Sequence, residues 1–128
     1  MAKVLCFCDT SAVTYAVQQG LIGSEHELHM RSASYLTNQT REEIYRLAPD
    51  IVLLELTPAL DNAHLYFFLR ADKYTRHIPI ILLSNSLRLH QQATILEANG
   101  YLQRPFGNEQ LHKVIATNLL RQQALVAA

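Results

Sequence analysis

The stretch from Asp50 to Pro58 constrains this chain most. Ile51-Val52-Leu53-Leu54 is an unbroken apolar run, β-branched at its start, set behind Pro49-Asp50 and closed by the carboxylate of Glu55. A strand that is apolar on both faces must be covered on both faces, as in a parallel sheet packed between helices. Lys3 to Cys8 forms a second such run and ends at Asp9, and Pro79 to Ser84 forms a third and ends on a hydroxyl. In an open α/β sheet, ligands bind in the crevice beyond the carboxyl ends of the strands, so Asp9, Glu55 and Ser84 mark where chemistry is expected.

The segments between the runs carry helical spacing. After Asp9, Thr10 or Ser11 caps a helix with Val13, Ala16, Val17 and Leu21 on one side, and Gly20 and Gly23 are read as its breakers. Leu28 to Ser32 alternates like an edge strand, and Thr40-Arg41-Glu42-Glu43 reads as a capping box opening a short helix that Pro49 ends. Asp61 is expected to cap a helix to about Ala71, with Leu65, Phe68 and Leu69 inward and Tyr66 or Phe67 left exposed. A helix from about Leu87 to Ala98 stops at Asn99-Gly100. A weak strand, Tyr101 to Gln103, then leads through Arg104-Pro105-Phe106 into a last helix from Asn108 to about Gln123.

Five strands alternating with five helices build a parallel sheet with right-handed crossovers. The second and fifth strands are the least apolar and belong at the edges. The expected fold class is α/β: a flavodoxin-like three-layer α/β/α sandwich with strand order 2-1-3-4-5, as a single domain over residues 1–128.

Composition removes several function classes. Eleven basic residues balance eleven acidic ones, so nothing favours counterion-driven binding to nucleic acid or to an anionic membrane. No apolar run approaches the roughly 20 residues a membrane helix needs, and a cytoplasmic location is expected. Cys6 and Cys8 lie two apart on one strand, poorly placed for a disulfide, and read as buried thiols. His26 and His29 lack the helical spacing and third ligand of a metal site and are read as surface and edge-strand residues. No nucleophile elbow, glycine-rich phosphate loop or zinc cluster is found.

With Asp9, Glu55, Ser84 and Arg104 at strand ends, and with Ile78-Pro79 and Gly100-Tyr101 in place, the whole chain resembles the receiver domain of two-component response regulators. The resemblance implies an acidic pair for Mg²⁺ after the first strand, where Cys8 and Asp9 stand. It implies a phospho-accepting aspartate at Glu55, a switch hydroxyl at Ser84, a lysine at Arg104 and a switch aromatic at Tyr101. It also implies a partner face formed by Arg88, His90, Tyr101, Gln103, Gln110 and Lys113.

The departures from that pattern point to a pseudo-receiver. Glu replaces the accepting aspartate, Cys8 replaces one metal-binding acid, Arg104 replaces the lysine, and Pro58 follows Thr57 one residue early. Positioning is most of what such a site supplies, and a displacement near 1 Å can cost about a hundredfold. A thiol is a poor ligand for a hard cation, so Mg²⁺ is disfavoured, with Asp9 and Glu55 the carboxylates left to hold it and Cys8, Asp9 and Thr57 a degenerate acidic pocket. The longer Glu55 is expected to accept hydrogen bonds from Ser84 and a forked pair from Arg104. No enzymatic activity is expected. The function read from this is signalling by contact with a histidine kinase, an output protein or a second copy. The alternative is an active receiver that takes a phosphoryl group from a histidine kinase.

Overall fold

The computed structural model describes residues 2–33, 36–56 and 63–127, with side chains through residue 122. Its elements run β1 (Lys3–Phe7), α1 (Ser11–Leu21), β2 (Glu27–Arg31), α2 (Asn38–Leu47), β3 (Ile51–Glu55), α3 (Ala63–Ala71), β4 (Ile80–Ser84), α4 (Leu89–Leu96), β5 (Gly100–Gln103) and α5 (Asn108–Ala127). The strands pair in parallel in the order β2-β1-β3-β4-β5. The continuous apolar runs of β3 and β4 take the central places, with every residue buried, and the alternating β2 lies at an edge. This is the flavodoxin-like architecture expected from the sequence.

The pleat divides the core into two layers. Leu5, Phe7, Val52, Leu54, Ile80 and Leu82 pack on one side against Ile44 of α2, Leu65 and Leu69 of α3, and Leu89 and Ala93 of α4. Val4, Cys6, Ile51, Leu53, Ile81 and Leu83 pack on the other side against Val13 and Val17 of α1 and Leu111 and Ile115 of α5. Each large side chain so buried contributes about 1.5–3 kcal/mol before entropy is subtracted.

Local details correct three expectations and bear out a fourth. Gly20 is not a breaker: it is buried within α1, and a Cβ there would lie 2.6 Å from Leu111 Cδ2, so the missing side chain lets α5 close on α1. The cap of α2 is Thr37 rather than Thr40, its side chain accepting the Thr40 N–H at 3.1 Å, while the side chain of Glu43, within the helix, pairs with Arg31 at 2.7 Å. The left-handed residue ending α4 is Glu97, with φ 58°. Asn99 uses its Oδ1 to accept the Ile80 N–H at 2.8 Å, and Gly100 opens β5. On α3, Phe67 is exposed, while Tyr66 is buried and donates its hydroxyl to the Leu96 carbonyl. The proposed cap at Asp61 lies outside the described residues.

Candidate functional site

The parallel register brings the ends of β1, β3, β4 and β5 to one mouth, because Phe7 lies beside Leu54, Glu55 beside Leu83, and Ser84 beside Gln103. Glu55 closes β3 and is only 6 % exposed. It follows Ile51 and Leu53 onto the side of the sheet covered by α1 and α5, where Cys6 and Cys8 feel its charge. There its Oε1 accepts the backbone N–H of Asp9 at 2.9 Å and that of Thr10 at 3.1 Å.

These two donors explain the position of the carboxylate. Thr10 is the N-cap of α1 but makes no capping bond with its own side chain, and the first turn of α1 carries no acid. Glu55 supplies both lacks from another strand, placing a negative group against the positive end of the helix dipole and satisfying backbone donors around it. Charge-assisted bonds of this kind are the stronger sort.

Asp9 is also engaged. Its Oδ1 accepts the Ser32 hydroxyl at 2.8 Å and the Ala33 N–H at 3.2 Å, which ties the loop after β1 to the loop after β2. Cys8 is buried with its Sγ 3.3 Å from Thr14 Oγ1. Both thiols are free. Interaction with the Cys8 thiol, followed by burial, pushes Cys6 well above its ordinary value, and the same interaction, aided by Thr14 and opposed by burial, pulls Cys8 down. Thr57, the remaining member of the expected pocket, lies outside the described residues.

The expected contacts from Ser84 and Arg104 to Glu55 are not made among the described residues. The reason is geometric. Ser84 continues the Ile80 and Leu82 alternation onto the opposite side of the sheet, and its hydroxyl accepts the Ser86 N–H at 3.0 Å, closing its own turn. Arg104 does return to the α1 and α5 side, but two strand spacings from Glu55, roughly 10 Å. It lines a cavity together with Ala12, Ala16 and Asn85 instead, and among the described residues its buried Nε has no hydrogen-bond partner. Among the described residues Glu43 pairs with Arg31 at 2.7 Å, and Glu27 lies 3.5 Å from His29 Nε2.

No family model matches the chain. Solved structures do. The chemotaxis response regulator CheY4 of Vibrio cholerae superposes with a TM-score of 0.75 at 20% identity, covering 92% of this chain and 98% of that one. A response regulator receiver domain from Clostridium thermocellum gives 0.73 at 22% identity over 98% and 99%. The receiver domain of a sensor histidine kinase from Pseudomonas aeruginosa, with a magnesium ion coordinated in its active-site cleft, gives 0.76 at 20% identity over 92% and 97%. This chain has the receiver fold.

In this receiver-like domain Tyr101 points outward, 40% exposed, and its hydroxyl meets His90 Nδ1 at 2.9 Å with the rings edge to face at 5.4 Å. Arg88, Gln103, Gln110 and Lys113 are likewise exposed around α4, β5 and α5. A groove of about 380 Å³ runs there between Tyr101 and Arg121, with Lys113 on its wall. His26 and His29 sit beside or on the edge strand, away from the mouth. Sequence reasoning did not foresee the Glu55 bonds to the β1–α1 backbone. The available signal was the absence of any acid in the first turn of α1.

Proposed function

We propose that this chain is a pseudo-receiver, a two-component signalling domain that works by protein contact and keeps Glu55 as a structural brace rather than as a phosphoryl acceptor. The observation that carries the reading is the pair of hydrogen bonds donated by Asp9 N–H and Thr10 N–H to Glu55 Oε1. Oε1 would have to surrender both donors to act as a nucleophile, and phosphorylation of the other oxygen would remove the negative charge that strengthens both bonds.

The donor set at the mouth also suits Mg²⁺ poorly. The ion demands near-octahedral oxygen coordination. Asp9 already accepts from Ser32 and Ala33, Glu55 accepts from the backbone, and Cys8 offers sulfur. The contact surface in this reading is the face of α4, β5 and α5. Ile95 and Leu120 are 80% and 66% exposed, and Arg88, Lys113 and Arg121 lend positive charge, so an acidic, partly apolar segment of a partner protein is the complement.

Incubation with acetyl phosphate and Mg²⁺ followed by intact-mass analysis tests this. The expected result is an unchanged mass. A Mg²⁺-dependent phosphoryl adduct that disappears in Glu55→Gln would restore the active-receiver reading.

A further inference from the structure

Beside the mouth lies a cavity of about 300 Å³ lined by Ala12, Ala16, Asn85, Arg104, Pro105 and Phe106. Its construction is two-sided. Ala12 and Ala16 stand one turn apart on α1, presenting methyl groups where longer side chains would close the gap, and Pro105 and Phe106 face them. Arg104 also lines this slot; among the described residues its Nε has no hydrogen-bond partner and is closed off from solvent, which leaves the two terminal nitrogens of the guanidinium to meet a ligand. A guanidinium stays charged at any ordinary pH, and a buried donor without an acceptor is rare in folded proteins.

We propose that this cavity binds a small monocarboxylate with an apolar body, its carboxylate forked onto Arg104 and its body between Ala12, Ala16 and Phe106. The planar guanidinium matches a carboxylate with two parallel bonds. Asn85 adds an amide that can bond to the second oxygen. The volume is at the low end for ligand sites, which suits a single ring or a short branched chain. Asp9 and Glu55 lie at the same mouth, and their charge disfavours a dianion such as a phosphate monoester. The proposal goes beyond the signalling role and does not depend on whether Glu55 accepts a phosphoryl group.

Benzoate serves as the probe, with benzamide as its neutral isostere and inorganic phosphate as the bare anion, each titrated into the full chain while backbone amide signals are followed. Saturable shifts at Ala12, Ala16, Arg104 and Phe106 are expected with benzoate, with benzamide weaker by about tenfold or more. Arg104→Gln should weaken benzoate by at least about the same factor, whereas Arg104→Lys should retain part of the binding. Circular dichroism of both variants confirms that they are folded. Absence of saturable shifts with benzoate would overturn the proposal, as would equal binding of benzamide, unchanged affinity in folded Arg104→Gln, or phosphate binding as tightly at the same amides.

Discussion

Glu55 Oε1 lies 2.9 Å from the backbone nitrogen of Asp9, so the end of β3 holds the start of the β1–α1 turn through one hydrogen bond. The adjacent Thr10 N–H is held by the same oxygen at 3.1 Å. A side chain one methylene shorter starts farther from both. The extra length that distinguishes Glu from Asp is what lets this carboxylate cap a neighbouring helix.

Glu55→Asp should therefore destabilise the domain by roughly 1–2 kcal/mol, since two partly buried backbone donors lose a charged acceptor. Glu55→Gln keeps an acceptor oxygen and gives up only the charge, and about 1 kcal/mol is expected. Urea denaturation midpoints at constant slope provide the measurement. Equal stability of Glu55→Asp and the parent would show that the bonds contribute nothing.

Gly20→Ala pits helix propensity against packing. Alanine is favoured over glycine in a helix by about 1 kcal/mol. Its Cβ would meet Leu111 Cδ2 at 2.6 Å, and Leu111 is fully buried, so any shift of its side chain disturbs the packing around it. Overpacking of this sort costs about 1–3 kcal/mol, so a net loss near 1 kcal/mol is expected. Leu111→Val should relieve much of it in a double-mutant cycle.

Thr37→Ala removes the N-cap of α2 and should cost about 1 kcal/mol. Thr40→Ala, at the position the sequence pattern favoured, loses only an exposed hydroxyl contact to Thr37 and should change stability by less than about 0.5 kcal/mol. The reverse order in thermal melts would contradict the observed cap.

Cys8 should react with a thiol reagent before Cys6 does. The thiolate is the nucleophile, and Cys8 is lowered while Cys6 is raised. With Cys8 lowered, its alkylation rate should reach its plateau at a lower pH than that of a free cysteine, whose ordinary value is about 8.5. Peptide mapping after brief iodoacetamide treatment across a pH series reports both quantities. Preferential labelling of Cys6 would reverse the assignment.

The fold was legible because three apolar runs, at Lys3 to Cys8, Asp50 to Glu55 and Pro79 to Ser84, admit few arrangements other than strands buried on both faces. The strand ends were legible to the same extent: Glu55 and Ser84 close their strands, and Asp9 and Arg104 follow within two residues of theirs. What the sequence did not disclose is which way each side chain turns there. Ser84 is one residue out of phase with Glu55 across the pleat, and strand-end position alone carries no phase. Gly20 misled for a related reason, since a glycine marks a helix end or a close approach with the same letter, and only the proximity of Leu111 decides between them.

The amide signals of Asp9 and Thr10, followed while beryllofluoride and Mg²⁺ are added, test most directly whether Glu55 is a brace. If it is, both signals stay in place, and they shift in Glu55→Gln without any addition. Shifts of both signals on addition of beryllofluoride with Mg²⁺, but not with either alone, would mean that Glu55 yields its backbone donors to a phosphoryl mimic, and the account would be wrong.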